Sequence, residues 1–112
     1  MKKLEIIIKP ERLEEVKQIL SENNVTGIMI SNIMGYGNQM GYVQIYRGTE
    51  NRANLLPKIK VETVVLPEVA EAVIERILKD INTGTYGDGK IFVYDVEDVI
   101  RIRTGERGHS AL

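Results

Sequence analysis

The 112-residue chain has no cysteine, which excludes disulfides and thiolate metal centres. Its single histidine, His109, stands in the tail Gly108-His109-Ser110-Ala111-Leu112 and reads as a solvated residue. Charge of one sign is also missing. Fifteen basic residues face sixteen acidic ones for a net charge of −1, so there is no global attraction to nucleic acid or to an anionic membrane. Any anion site must be local. Long apolar runs are absent as well: Met1-Lys2-Lys3 leads directly into an alternating pattern, with no stretch that suits a signal peptide or a membrane span. A soluble, cytoplasmic protein is expected. The length fits one domain with a modest core and a large remaining surface, which oligomerisation would help to cover.

Glycine is what the chain does have, concentrated where chemistry is plausible. The run Thr83-Gly84-Thr85-Tyr86-Gly87-Asp88-Gly89-Lys90 lets the backbone take positive φ and turn successive N–H groups toward an anion, with Lys90 adding a mobile charge. Arg101 and Arg103 alternate with Ile100 and Ile102, so on a strand both guanidinium forks would leave one face and join the same anion. A Gly-Asp-Gly between a helix and a strand is also an ordinary turn. Gly84 to Lys90 fits the first seven positions of a Walker A loop. However, Ile91 stands where a hydroxyl must hold magnesium, and a strand follows instead of a helix, which argues against a P-loop ATPase.

Periodicity supplies the scaffold. Leu4, Ile6 and Ile8 alternate as in a first strand, and Pro10 then opens a helix through Leu13, Val16, Ile19 and Leu20, which stops at Ser21-Glu22-Asn23-Asn24. Residues 25–34 read as a second strand closed by Gly35-Tyr36-Gly37-Asn38. Residues 58–65 alternate again, with Ile59, Val61, Thr63 and Val65 opposite a row of Lys58, Lys60, Glu62 and Val64. Pro67 opens a second helix with the stripe Val69, Ala70, Val73, Ile74, Ile77 and Leu78, stopped by Asn82 and Gly84. Ile91-Phe92-Val93-Tyr94 follows as a buried-looking strand, with Phe92 and Tyr94 packed toward the helices, and a short edge segment runs through residues 99–103.

This βαββαβ order predicts an α+β, ferredoxin-like fold with two helices on one face of an antiparallel sheet. The opposite face carries Lys3, Glu5, Lys60 and Glu62 but also Ile7 and Val64, which suggests contact with identical subunits and sites between them. Residues 36–57 join two strands by a path far longer than a hairpin needs, and such segments are usually functional. Tyr42-Val43-Gln44-Ile45-Tyr46 has strand propensity, so the segment reads either as a β-finger that docks or as a hairpin extension of the sheet.

Placed together on this scaffold, several motifs make the chain resemble the PII nitrogen-regulatory signalling family along nearly its whole length. They are Ile7-Ile8-Lys9-Pro10, Gly35-Tyr36-Gly37 with Gln39, Tyr46-Arg47-Gly48, Leu56-Pro57-Lys58, Thr83-Gly84 through Gly87-Asp88-Gly89-Lys90-Ile91-Phe92-Val93, and Ile100-Arg101-Ile102-Arg103-Thr104-Gly105. The resemblance implies a homotrimer that binds ATP or ADP in clefts between subunits. It places nucleotide contacts at Ile7, Gly35, Gly37, Asn38, Gln39, Glu62, Val64, Gly87, Asp88, Gly89 and Lys90, with Arg101 and Arg103 reaching in from the neighbouring chain.

It also implies 2-oxoglutarate sensing at Gln39, Met40, Gly41, Lys58 and Gly87. There a magnesium ion shared with ATP would take the Gln39 amide, and Lys58 would pair with a carboxylate. Partners would be met through residues 36–57, with Tyr42, Tyr46, Arg47 and Glu50 on the contact side, while residues 82–90 bind phosphate and 101–112 form a C-terminal loop and tail. Effectors would act by shifting the long segment between folded-back and extended forms. An ammonium transporter, glutamine synthetase, an arginine-pathway kinase or a transcription factor are the targets implied.

The chain departs from the family pattern at several positions. Asn51 replaces a uridylylated tyrosine, which removes that modification, and Thr49 stands where some members carry a phosphorylated serine. Asn38 replaces an arginine and Met40 a lysine; losing a charged phosphate contact costs about 1.5–3 kcal/mol. An adenylate-only regulator is therefore the alternative. An RNA-binding module is a weaker one, disfavoured by the net charge and the lone phenylalanine. An enzyme is not expected, since Glu14-Glu15 and Glu97-Asp98 read as solvated faces and no catalytic constellation is visible.

Overall fold

The computed structural model describes residues 1–36, the backbone of Val43–Tyr46 and Thr49–Arg52, and residues 55–112. In chain order the elements are β1 (Lys2–Ile8), a 3-10 turn (Pro10–Arg12), α1 (Leu13–Glu22), β2 (Met29–Tyr36), β3 (Val43–Tyr46), β4 (Thr49–Arg52), β5 (Leu55–Val65), α2 (Pro67–Asp80) and β6 (Lys90–Asp95). A second 3-10 turn, Gly108–Ala111, closes the chain. The main sheet is antiparallel with the order β2-β5-β1-β6. This is the ferredoxin-like α+β arrangement expected from the element order.

The alternating positions of the two central strands build the core. Leu4, Ile6 and Ile8 from β1 and Ile59, Val61, Thr63 and Val65 from β5 are buried beneath Val16, Ile19 and Leu20 of α1 and Ala70, Val73 and Ile77 of α2. Thr63 is tolerated in this apolar layer because its hydroxyl donates to the Gly27 carbonyl at 2.6 Å. On the opposite face the charged row pairs within itself: Lys3 lies 3.7 Å from Glu5 and 3.4 Å from Glu62, and Lys60 lies 3.6 Å from Glu62.

Several boundaries and faces differ from the sequence reading. The second strand begins at Met29 instead of Val25 and runs through Gly35 and Tyr36, which pair with Leu56 and Leu55. Asn24 takes a positive φ of 61° after α1, so Val25 and Ile28 pack against the core from an irregular connection. β5 correspondingly starts at Leu55 and accommodates Pro57, because β1 ends at Ile8 opposite Ile59 and leaves β5 with a single neighbour at that point.

Leu78 is exposed and falls outside the α2 stripe, whose inward line runs Val73, Ile77 and Ile81. β6 is not buried: it is the sheet edge, and Phe92, Val93 and Tyr94 are each nearly half exposed. Phe92 and Tyr94 pair with Glu5 and Lys3, so they lie on the open face, away from the helices. There the Lys3 ammonium sits 5.4 Å from the Tyr94 ring centre. Within the long connection, β3 and β4 form a two-stranded ladder of their own, apart from the main sheet, with Val43 opposite Arg52 and Tyr46 opposite Thr49.

Candidate ligand site

The glycine run forms a tight loop between α2 and β6 whose shape is set from within. The Asp88 carboxylate accepts the Thr83 amide at 2.8 Å, the Thr83 hydroxyl at 2.5 Å, the Gly84 amide at 3.1 Å and the Thr85 hydroxyl at 3.2 Å. Asn82 adds a second acceptor for the Gly84 amide, at 2.8 Å. These donors stabilise the ionised carboxylate, first the Thr83 hydroxyl and then the Thr83 amide, and bring the Asp88 pKa down to about 2. Gly87 and Gly89 both take positive φ, at 96° and 111°. A side chain at Gly89 would collide with the Ile7 carbonyl, so only glycine lets the loop return this close to the end of β1. Among the described residues, neither Gly87 nor Gly89 donates its amide to another group. Lys90 then opens β6 directly opposite Ile7, with its side chain exposed.

Lys58 links this loop to β5. Its side chain is 9 % exposed, and its ammonium donates to the Gly87 carbonyl at 2.9 Å. The stem passes β2 at Gly35, where an added Cβ would lie 3.1 Å from the Lys58 Cγ. Gly35 therefore makes room for the lysine. An ammonium has three protons to donate, and that carbonyl is the one hydrogen-bond partner it has among the described residues. A largely buried cation beside unoccupied amides is a ready receptor for a carboxylate or phosphate.

The arginines do not join that loop within one chain. β6 carries the backbone from Lys90, opposite Ile7, to Asp95, opposite Lys2, a run of about 17 Å at the usual strand rise. The Val96 amide then donates to the Met1 carbonyl. Residues 99–103 are not a strand: Ile100 bridges Arg107, and the Gly105 amide donates to the Arg101 carbonyl at 2.7 Å with Gly105 at φ 74°. Arg101 and Arg103 thus sit on a turn instead of one strand face. The Arg101 guanidinium donates to Glu106 at 3.1 Å and to the Leu112 carbonyl at 3.2 Å, while Arg103 is exposed. Leu112 and His109 line a cleft of about 650 Å³ with Gly27, Met29, Val64 and Leu66.

The described residues inferred for the nucleotide and, with Lys58, for 2-oxoglutarate accordingly form two groups at opposite ends of the sheet. Ile7, Gly35, Lys58 and 87–90 lie at one end, and Val64, Arg101 and Arg103 at the other. Glu62 lies between them on the open face, paired with Lys3 and Lys60. Gly37, Asn38, Gln39, Met40, Gly41, Tyr42 and Arg47 fall outside the described residues, as do the side chains of Tyr46 and Glu50.

Sequence reasoning missed the bracing role of Thr83 and Thr85, although their spacing from Asp88 on a glycine-rich turn was a usable signal. Among the described residues no group of three acidic or histidine side chains is arranged to hold a metal, and no helix is long and apolar enough to cross a membrane.

A scaffold of this topology has counterparts among known proteins. The family model for nitrogen regulatory protein P-II matches residues 1–106. The chain belongs to the P-II family. It is 54 % identical to the nitrogen regulatory protein P-II of Rhizobium meliloti (strain 1021) and 49 % identical to that of Pasteurella multocida (strain Pm70), over the full length of both chains in each case. Among solved structures, that of Arabidopsis thaliana PII bound to citrate superimposes with a TM-score of 0.78 at 37 % identity, covering 99 % of this chain and 91 % of that one. P-II proteins are nitrogen-regulatory signalling proteins, and the ferredoxin-like core described above is that of this family.

Proposed function

We propose that this P-II protein is a cytoplasmic homotrimer that senses ATP or ADP together with 2-oxoglutarate and regulates nitrogen-assimilation targets through residues 36–57. The observation that carries the proposal is the Lys58 ammonium, buried beside Gly35 and bonded only to the Gly87 carbonyl among the described residues. In this reading the amides of the glycine loop and Lys90 take the phosphates. Lys58 takes a carboxylate of 2-oxoglutarate, and Gln39 offers its amide oxygen to a magnesium ion shared with ATP. Met40 and Gly41 lie beside the keto acid. The citrate in the Arabidopsis structure supports carboxylate recognition in the family. The protein acts by binding, with no reaction of its own.

The split of the site supports a closed ring. One end of each chain would offer the glycine loop and Lys58, and the other end Val64, Arg101 and Arg103, so a head-to-tail contact completes one cleft per subunit. Targets of the classes named above, an ammonium transporter, glutamine synthetase, an arginine-pathway kinase or a transcription factor, would read the long segment at Tyr42, Tyr46, Arg47 and Glu50. Asn51 leaves control to ligands instead of uridylylation.

The test is calorimetric titration with ATP and ADP, then with 2-oxoglutarate in the presence of Mg-ATP. Both steps should bind. Lys58→Met should weaken the keto acid by roughly ten-fold to a hundred-fold, the scale of one charge-assisted hydrogen bond, and leave the nucleotide within a few-fold. Nucleotide binding without any 2-oxoglutarate response would favour the adenylate-only regulator, for which Asn38 and Met40 speak. No nucleotide binding would overturn the proposal.

A further inference from the structure

We infer that Asp88 is a positioning residue of the phosphate-binding loop, one that fixes Thr83, Gly84 and Thr85 so that the Gly87 and Gly89 amides stay turned toward the ligand. The inference rests on the proposed nucleotide reading of this loop. All the acceptor capacity of the carboxylate is directed inward: four donors from three residues converge on its two oxygens at 2.5–3.2 Å. The Thr83 and Thr85 hydroxyls also lie 2.8 Å apart, so the single Thr85 proton is shared between Asp88 and the Thr83 oxygen. The result is a closed brace across residues 83–88, which spans Gly87 and ends at the residue before Gly89.

A carboxylate beside bound phosphates repels them, so its direct effect and its positioning effect have opposite signs. Asp88→Asn separates the two. The substitution keeps the size and one acceptor oxygen, removes the negative charge, and turns an amide NH2 toward groups that themselves donate. If the loop kept its shape without the brace, loss of the charge would tighten nucleotide binding. If the brace holds the loop, binding weakens. Thr83→Val provides a charge-neutral check, since it removes the shortest of the four bonds without changing the net charge near the phosphate, and Thr83→Ser restores the hydroxyl.

The experiment combines calorimetric titration of ATP into the full-length protein with amide hydrogen exchange of the ligand-free protein. Asp88→Asn should weaken ATP about ten-fold to a hundred-fold, the range for a lost hydrogen bond to a charged group, and Thr83→Val at least several-fold. Thr83→Ser should bind within about two-fold to three-fold of the parent, since the donor is retained. Exchange at Thr83 and Gly84 should speed up in Asp88→Asn while the midpoint of denaturant unfolding stays near that of the parent, because the brace lies outside the core. Tighter or unchanged ATP binding by Asp88→Asn, or parent-like binding by Thr83→Val, would overturn the inference while leaving the nucleotide site standing. Absence of ATP binding by the parent chain would instead bring down the nucleotide reading and the inference with it.

Discussion

β1 and β6 lie side by side, with Leu4 directly opposite Val93 and Ile6 opposite Ile91. Both read as apolar strands, yet Leu4 is wholly buried and Val93 is 49 % exposed. β1 has a neighbour on each side and helices over one face, whereas β6 ends the sheet and, apart from Ile91, which packs against the core, its apolar residues are exposed on both faces. The contrast teaches that hydrophobic pattern marks a strand but does not say who covers it. β1 is completed by its own chain, while β6 is a sheet edge, the kind of surface that the proposed homotrimer would cover.

The contrast is broken most severely at the shared pair. Leu4→Ala should lower unfolding free energy by about 2–5 kcal/mol in denaturant titration, the cost of a cavity in a packed core. Val93→Ala should cost less than about 1 kcal/mol in the isolated chain, where a half-exposed side chain forfeits little transfer energy. A larger loss that grows on dilution would show that β6 is covered by a partner, since association makes stability depend on concentration.

A second contrast lies inside the loop. Gly84 and Gly89 both hold positive φ, but a methyl at Gly84 meets open space and one at Gly89 meets the Ile7 carbonyl. Gly84→Ala should cost about 1–2 kcal/mol from the left-handed backbone alone. Gly89→Ala should cost more and speed amide exchange at Lys90. Equal effects in thermal unfolding would mean that the close approach to β1 does not constrain the loop.

The smallest effect at neutral pH concerns Asp88. Its folded pKa of about 2 lies below the unfolded value of about 3.9. A depressed carboxylate favours the folded loop above its unfolded pKa, and that contribution is lost as pH falls through the folded pKa. Exchange protection at Thr83 and Gly84 should therefore be flat from pH 7 to about pH 4 and fall between about pH 4 and pH 2. Asp88→Asn should abolish that step.

The central strands and both helices were legible because their burial is decided by the chain itself: alternation at Leu4, Ile6 and Ile8 or at Ile59, Val61 and Val65 has one consistent solution. The edges were not. β2 starts late because Asn24 turns the chain, and residues 99–103 turn at Gly105 instead of extending, both through single backbone conformations that periodicity does not report. Phe92 and Tyr94 lie on the face opposite the one their pattern suggests, because the phase of a short apolar run is ambiguous without its register to β1. In the site, the glycine loop and Lys90 could be read from local spacing. The bond from Lys58 to Gly87 joins residues 29 apart in sequence and belongs to tertiary structure alone. The same holds for the separation of Arg101 from the loop, since a linear interval says nothing about which end of the sheet the chain returns to.

Beyond Ile8, β1 no longer flanks β5, and the β2–β5 pair continues as a two-stranded ribbon from Ile33 opposite Lys58 to Tyr36 opposite Leu55. Mechanically this ribbon is a lever anchored at one end. Lys58 and Gly35 sit at its fulcrum, where the glycine leaves room for the lysine stem, and the lysine head is tethered to Gly87. In the proposed function, a ligand that draws that head from Gly87 would load the ribbon at its pivot, and a small displacement there would grow toward Tyr36 and Leu55.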